Sequence, residues 1–233
     1  MNYQKITKGT FIERPNRFIA KVLINGKEET VHVKNTGRCR ELLVPDATVY
    51  LEDFEDRMGT RKLRYSLVAV EKICKQNNHP LLINMDSQAP NALIKEEFYK
   101  WASKTGNSFR PETTYKNSRF DFSFETKSVK GFLEVKGVTL EKDGVCMFPD
   151  APTERGTKHL TELIDAKQNG YWAGVLLLVQ MSGMKYFTPN KITDPKFSET
   201  LKLAKASGVE ILCYECSVTP DSMTLGKKLQ VVL

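Results

Sequence analysis

The sequence predicts an α/β (α+β) protein of two domains, a small β-barrel over residues 1–83 and an α/β domain with a mixed central sheet over residues 84–233. Two observations support this division. Short strand patterns separated by turns fill the first part, whereas strand and helix patterns alternate in the second. The composition agrees, because 40% hydrophobic residues in a chain of 233 provide enough apolar side chains for a core and exclude wholesale disorder.

The first domain is recognised by a hairpin signal. Residues 22–24 form an apolar run that leads to Asn25-Gly26, a dipeptide typical of tight hairpin turns, and residues 30–33 return as a second strand. Further strands are predicted at 48–51 and 67–73, with no long helix between them. Several short strands in a basic segment are typical of a small barrel such as the oligonucleotide-binding (OB) fold, although other small barrels share this pattern.

The second domain begins with a helix predicted over residues 87–101, where Ser87 is the expected N-cap and Pro90 lies in the first turn. The elements predicted after it are strands at 109–115, 119–125 and 130–137, a helix at 153–168, a strand at 172–179, a helix at 196–206 and a strand at 209–214. Strands that alternate with helices require a sheet that is at least partly parallel.

Charge is spread unevenly along the chain. The formal net charge is +7, and residues 1–83 contain 15 basic against 10 acidic residues, whereas residues 84–233 contain 20 against 18. A basic first domain predicts an anionic partner, nucleic acid first. A mildly basic protein without such a partner would have much the same composition.

Apolar runs and cysteines bear on the cellular compartment. No stretch approaches the roughly 20 apolar residues that span a bilayer, and the N-terminus lacks the apolar core of a signal peptide. The five cysteines are an odd and scattered set, which favours reduced thiols. Cys213 and Cys216 form a CxxC with no second pair to complete a zinc site, so we expect them to be structural. These features predict a cytoplasmic protein with no membrane partner.

Two neighbouring predicted strands contain charged residues among apolar ones. Period-two alternation places Phe120, Phe122 and Phe124 on one face of the first strand and Arg119, Asp121 and Ser123 on the other. In the second strand, Leu133 and Val135 share one face and Glu134 and Lys136 share the opposite one. If the two strands pair, one side of the sheet gathers two carboxylates and an amine, those of Asp121, Glu134 and Lys136.

Burying these three charges is costly unless the protein uses them. A divalent metal accounts for the cluster, because Asp121 and Glu134 would supply the hard oxygen ligands that Mg²⁺ or Mn²⁺ takes. Lys136 would hold a water near a phosphate and stabilise the charge that develops as the water attacks. The pattern, with 12 residues between Asp121 and Glu134, resembles the active site of the PD-(D/E)xK nucleases. A surface salt bridge between adjacent strands would produce the same letters.

Three glutamates are candidates for a further catalytic carboxylate at this site. Glu112 precedes the strand of Asp121. On the helix over 87–101, a rotation of about 100° per residue puts Glu97 on the apolar face and Glu96 at its edge. Each of the three could equally be a solvated surface residue.

Two further segments contain groups that bind phosphate. Thr153 is the expected N-cap of the helix over 153–168, and the start of this helix bears Arg155, Lys158 and His159. Helix N-termini with flanking cations bind phosphate, but a capped amphipathic helix with its charges and His159 in water fits as well. The polar loop with Asn35, Thr36, Arg38 and Arg40 suits contacts to the nucleic-acid backbone, or is an ordinary charged turn.

Nearly from end to end, the sequence resembles the sugar fermentation stimulation protein family (SfsA). The likeness lies in residues 14–18 (RPNRF), 32–38 (HVKNTGR), 118–122 (SRFDF), 134–136 (EVK) and 148–156 (FPDAPTERG). It implies an OB-fold domain joined to a PD-(D/E)xK nuclease-like domain, DNA binding, and a reported link to the regulation of sugar fermentation genes. It points to Glu96 rather than Glu97, and it adds Arg14, Arg17 and Arg119 to the predicted nucleic-acid-binding residues.

Three functions are compatible with the sequence. The first is a DNA-binding protein with a Mg²⁺-dependent phosphodiesterase (nuclease) site. The second is a non-catalytic, largely non-specific DNA-binding transcriptional regulator of sugar metabolism, and the third is a scaffold whose basic character is incidental. No base-reading motif is evident, so contact with the DNA backbone is the default, and no small-molecule cofactor is implied. The sequence leaves open homo-oligomerisation and the choice between duplex, single-stranded or branched DNA, or RNA.

Overall fold

A computed structural model describes residues 1–35, 37–73 and 80–233. The first domain contains the strands β1 (Ile6–Asn16), β2 (Ile19–Ile24), β3 (Lys27–Val33), β4 (Thr48–Asp53), β5 (Tyr65–Lys72) and β6 (Leu81–Asn84). Their order is β3-β2-β1-β4-β5-β6, and β3 also pairs in parallel with β5. This last pairing closes β1 to β5 into a barrel, beside which β6 is an edge. A short 3₁₀ helix, Glu55–Arg57, connects β4 to β5.

The predicted OB-like barrel is confirmed. The strands predicted at 22–24, 30–33 and 48–51 lie inside β2, β3 and β4, and the one at 67–73 overlaps β5. Strand β1 was not predicted. Its register against β2 shifts between Phe11 and Glu13 and again before Asn16, so its side chains do not keep the period-two pattern of a regular strand.

The second domain contains helices α1 (Ala89–Thr105), α2 (Glu154–Gln168) and α3 (Pro195–Ala206). Its central sheet contains β7 (Ser108–Tyr115), β8 (Ser118–Glu125), β9 (Lys130–Val138), β12 (Trp172–Val179), β14 (Glu210–Thr219) and β15 (Ser222–Lys228), in the order β15-β14-β12-β9-β8-β7. A smaller sheet contains β10 (Leu140–Lys142), β11 (Val145–Phe148), β13 (Tyr186–Pro189) and β16 (Gln230–Val231). In the central sheet β9, β12 and β14 run parallel and the other pairs antiparallel, so the predicted mixed sheet is confirmed.

Both faces of the central sheet are covered. On β9, Phe132 packs in one hydrophobic core with Leu160 of α2, whereas the next residue, Leu133, packs in another core with Leu93 of α1. Alternate residues of β9 therefore face opposite helices. The glutamate and lysine of the predicted cluster fall on the α2 side.

The predicted helix starts are wrong for α1 and correct for α2. Ser87 is not the N-cap, because Gln88 occupies that position, and the Ser87 hydroxyl donates to the carbonyl oxygen of Lys34 at 2.6 Å. Helix α1 begins after Gln88, whose side chain makes no capping hydrogen bond. Thr153 does cap α2, since its hydroxyl oxygen accepts a hydrogen bond from the N–H of Gly156 at 3.1 Å. The hydroxyl of Ser87 is therefore used to join the second domain to the barrel.

Buried and partly buried hydrogen bonds join the two domains. From the barrel, Lys34 Nζ lies 2.7 Å from Asp86 Oδ2. From the second domain, the side-chain amide of Gln180 donates to the side-chain oxygen of Asn84 at 2.9 Å and to the carbonyl oxygen of Asp86 at 3.0 Å. Asn84 in turn donates to the hydroxyl of Tyr3 at 2.9 Å. Separating the domains would leave these groups unpaired, which is costly for buried polar atoms.

Helices within the described ranges are all too short or too polar to cross a membrane. Cys213 and Cys216 of β14 are both buried, and they pack in different cores on opposite sides of the sheet. Burial raises the pKa of each thiol to about 12. Their CxxC spacing therefore does not bring the two sulfur atoms to one site.

Candidate functional site

Strands β8 and β9 part at Asp121. Their antiparallel ladder runs as far as the pair Phe122 and Leu133. Beyond this pair, the N–H of Val135 donates to Asp121 Oδ2 at 2.7 Å, so a side-chain carboxylate takes the place of a backbone acceptor. The other oxygen of Asp121 accepts a hydrogen bond from the side-chain amide of Asn91 in α1, at 2.7 Å.

Strand β8 changes face at the same point. The ring of Phe120 packs 5.4 Å from that of Phe132, on the α2 side, whereas the ring of Phe122 packs 5.1 Å from that of Phe98, on the α1 side. The prediction that Phe120 and Phe122 share one face is therefore wrong. Regular alternation requires a regular strand, and the ladder between β7 and β8 skips one position here.

The second part of the cluster is on β9. Lys136 Nζ lies 2.5 Å from Glu134 Oε1, and Nδ1 of His159 in α2 contacts the same oxygen. Only 3% of the Glu134 side chain is exposed, 16% of Lys136 and 5% of His159. The other carboxylate oxygen of Glu134 is buried and has no hydrogen-bond partner among the described residues. The structure thus gathers Asp121, Glu134 and Lys136 where β8 and β9 part, as the sequence predicted.

Electrostatics differ between the two carboxylates. Burial alone would raise the pKa of Glu134, but the hydrogen bond from His159 and the charge of Lys136 outweigh it, and that pKa is lowered. Burial, and then the negative charge of Glu134, raise the pKa of Asp121. Glu134 is therefore held as an anion, and Asp121 takes up a proton more readily.

His159 belongs to this cluster. Arg155 Nε donates to His159 Nε2 at 3.4 Å, so Nδ1 is the nitrogen that carries the proton toward Glu134. The alternative of a surface histidine is wrong. Its role was missed because α2 meets β9 only in the folded chain, 25 residues after Glu134. Asn91 was missed for the same reason.

The additional carboxylates do not join the cluster. The carboxylate of Glu96 forms an ion pair with the N-terminal amine of Met1 at 3.1 Å, and that of Glu97 forms one with the amine of Lys100 at 2.6 Å. Glu112 is exposed and lies 3.7 Å from the guanidinium of Arg119. In the described ranges, no group of three His, Cys, Asp or Glu side chains is placed to hold a metal ion. The assignment of Glu96 and Glu112 to the site is therefore corrected.

A groove on the barrel is lined by arginines. Its volume is about 360 Å³, and its lining includes Arg14, Arg17, Arg38 and Arg40. Arg14 is a structural residue, because its guanidinium donates to four backbone carbonyls at 2.6–2.9 Å, those of Arg17, Asn35, Gly37 and Arg38. Asn35 shapes the same loop by accepting a hydrogen bond from the N–H of Gly37 at 2.8 Å. Thr36 lies outside the described residues.

A second concavity continues from this groove. It has a volume of about 340 Å³, lies between the domains and is lined by Gly37 of the arginine groove, Ser87 and Gly137. Gly137 directly follows Lys136 on β9, but Asp121, Glu134 and Lys136 themselves do not line this concavity. Lys158, also predicted to contact nucleic acid, donates to the carbonyl oxygen of Asn117 at 2.7 Å.

This fold defines a class of two-domain protein in which an OB-fold barrel precedes an α/β domain with a mixed central sheet. Residues 12–77 match the family described as SfsA N-terminal OB domain, and residues 88–222 match Sugar fermentation stimulation protein RE domain. The chain therefore belongs to the sugar fermentation stimulation protein family.

Relatives match over their full lengths. The sugar fermentation stimulation protein homolog of Alkaliphilus oremlandii is 49% identical, over 99% of this chain and 98% of its own. The homolog of Desulfitobacterium hafniense is 51% identical, over 100% and 99%. Among solved structures, Pyrococcus furiosus SfsA in complex with Ca²⁺ is 26% identical, with a TM-score of 0.84 over 100% of this chain and 98% of that one. The two-domain arrangement is thus shared with a solved relative.

Proposed function

We propose that this protein binds DNA and hydrolyses its phosphodiester bonds with a divalent cation, Mg²⁺ or Mn²⁺, held by Asp121 and Glu134. The observation that best supports this is the state of Glu134. Its carboxylate is buried beside Lys136, its pKa is lowered, and one oxygen has no partner among the described residues. A buried oxygen without a partner is costly, and a role as metal ligand would account for it.

The available ligands suit a hard cation that keeps much of its own water. Mg²⁺ is commonly bound by one or two carboxylates together with several waters, which is what Asp121 and Glu134 would provide. The Pyrococcus furiosus relative was solved with Ca²⁺, which also takes oxygen ligands. When bound, such a cation polarises the phosphate and lowers the pKa of water.

The side chains around the site have separate roles in this proposal. Lys136 would orient the attacking water and stabilise the negative charge that develops on the phosphate, because preorganised charge is most effective where water is scarce. Glu134 would remain an anion near neutral pH, since its pKa is lowered. His159, fixed in turn by Arg155, would orient the Glu134 carboxylate.

DNA would approach along the two connected concavities. Arg38 and Arg40 are exposed on the barrel, where they would contact phosphates. Contacts of this kind position the nucleic acid without reading its sequence. The inter-domain concavity beyond Gly37 would then hold the next part of the DNA backbone.

A second candidate function is a non-catalytic DNA-binding regulator. It is favoured by the contacts of Asp121, both of whose oxygens already accept hydrogen bonds from Asn91 and Val135. Lys136 and His159 likewise satisfy one oxygen of Glu134. In this case DNA binding would be independent of metal and steeply dependent on salt.

Incubation with supercoiled plasmid and with a labelled single strand, in Mg²⁺, Mn²⁺ or EDTA, tests the two functions. We expect metal-dependent cleavage that falls about 100-fold or more in Asp121→Asn and Lys136→Ala. Lys104→Ala is a matched control, since Lys104 is an exposed lysine in the last turn of α1. Cleavage that survives both variants would contradict the proposal. Salt-sensitive binding in EDTA without any cleavage would identify the regulator.

A further inference from the structure

The rim of the arginine groove bears an exposed aromatic ring. Phe18 lies in the turn between β1 and β2, and 49% of the residue is exposed, although an aromatic side chain gains from burial. Arg17, which lines the groove, holds its guanidinium 4.9 Å from the centre of this ring. The ring and the cation therefore form one continuous surface beside the exposed Arg38 and Arg40.

Hydrogen bonds hold this turn in place from several directions. The side-chain oxygen of Asn16 accepts from the N–H of Phe18 at 2.8 Å, and the Phe18 carbonyl accepts from the N–H of Val33 at 2.7 Å. Arg14 donates to the carbonyl of Arg17 at 2.8 Å. The ring is thus presented by an ordered backbone, which reduces the entropy lost when a ligand binds.

We propose that this surface binds single-stranded DNA, with an unpaired base stacked on Phe18 and the flanking phosphates on Arg17, Arg38 and Arg40. This inference takes DNA as the ligand from the proposed function. It adds that the DNA is single-stranded. Every base has a face that stacks on an aromatic ring, whereas base pairs in a duplex are stacked on one another and hide those faces. An exposed ring among cations therefore selects unpaired strands.

A second concavity adjoins the arginine groove. Gly37 lines both, and the lining of the second one also includes Gly137, the residue after Lys136 on β9. A strand anchored on Phe18 would extend along these concavities with its phosphates near the arginines. One carboxylate, that of Asp150, lines the second concavity.

Fluorescence anisotropy in EDTA measures this selectivity without cleavage. The probes are a labelled oligo-dT of about 20 nucleotides and a duplex of the same length. Both probes are longer than the stretch of nucleic acid that one OB fold contacts. Phe18→Ala should weaken oligo-dT binding about tenfold and duplex binding less than about twofold, and Phe18→Trp should restore the affinity for oligo-dT. Leu23→Ala is the matched control, because Leu23 is an apolar residue at the far end of β2 with 41% exposure.

Several results would overturn the inference. These are equal losses on both probes, no loss in Phe18→Ala, or wild-type binding that is tighter for the duplex. Binding of oligo-U about tenfold tighter than oligo-dT would instead identify RNA as the ligand and overturn the choice of DNA. Because EDTA prevents metal-dependent cleavage, failure of the phosphodiesterase proposal would leave this result interpretable.

Discussion

The ammonium group of Lys136 lies 2.5 Å from Oε1 of Glu134, two residues earlier on the same strand. Residues two apart on a strand are neighbours on one face, and here that face is covered by α2. The ring of His159 contacts the same oxygen from α2. Glu134 is therefore a buried anion that depends on two donors from different elements.

Loss of the lysine should destabilise the fold. Lys136→Ala leaves Glu134 with one donor fewer in a buried place, and we expect the free energy of unfolding at pH 7 to fall by about 1–3 kcal/mol. Urea denaturation measures this change. Lys104→Ala, on the exposed face of α1, should change it by less than about 0.5 kcal/mol. Equal effects of the two substitutions would mean that the contact with Glu134 contributes little.

Asp121→Asn should have the opposite effect on stability. Burial and the charge of Glu134 raise the pKa of Asp121, so its ionised form is disfavoured in the folded chain. The stability this group contributes is present below its ordinary pKa of 3.8 and is lost as pH rises through the folded value. Asn cannot ionise, so at pH 7 the variant should gain on the order of 1 kcal/mol.

The pH dependence of that gain provides the check. Unfolding of wild type and Asp121→Asn is compared at pH 7 and at about pH 3, where the wild-type carboxyl is protonated in both states. The difference should disappear at the acidic pH. A variant that is less stable at pH 7 would show that the hydrogen bonds from Asn91 and Val135 outweigh burial.

His159 should act through Glu134. His159→Ala should lower the cleavage rate about 10- to 100-fold, the usual effect of removing a residue that orients a metal ligand. His159→Asn should recover part of the rate, because its amide can donate from near the position of Nδ1. DNA binding in EDTA should be the same in all three proteins. If binding and cleavage fall together, His159 supports the fold rather than the orientation of Glu134.

Substitution of the groove arginines should affect either DNA binding or stability, depending on the arginine. Arg38→Ala and Arg40→Ala should each lower the slope of log affinity against log salt by about 1, with little change in stability. Arg14→Ala should instead lower the free energy of unfolding by about 2 kcal/mol, because four carbonyl groups lose their donor. Binding isotherms at several salt concentrations, with thermal melts of each variant, distinguish the two.

Divalent cations should stabilise the protein through the two carboxylates. At about 100 times its dissociation constant, Mg²⁺ would add about 2.7 kcal/mol to the free energy of unfolding of the wild type. Glu134→Gln should remove this increase, measured as the change in melting temperature on adding Mg²⁺ or Ca²⁺. An equal increase in the variant would place the cation elsewhere.

Sequence patterns predicted the parts of this molecule that obey local rules. The parallel strand β12 is a continuous apolar run, and Thr153 caps α2 as predicted. Asp121, Glu134 and Lys136 were found because their spacing reflects two adjacent strands. These features depend on near neighbours in the chain.

Contacts between distant segments could not be predicted in this way. The alternation of apolar residues along β8 does not predict that Phe120 faces α2 while Phe122 faces α1, because the missing pair at Asp121 is visible only in the folded sheet. Ser87 has the character of an N-cap, but the carbonyl of Lys34 competes for its hydroxyl. Glu96 was misassigned because its partner, the amine of Met1, is 95 positions away in the chain.

The buried hydrogen bonds of Asn84, Asp86 and Gln180 also have a consequence for cleavage. They fix the barrel to the second domain, so the separation between Phe18 and Lys136 cannot vary without breaking them. A strand anchored at the one would be cut at a constant number of nucleotides from the other. The spacing between the anchored base and the cleaved bond would then be the same on every strand, whatever its sequence.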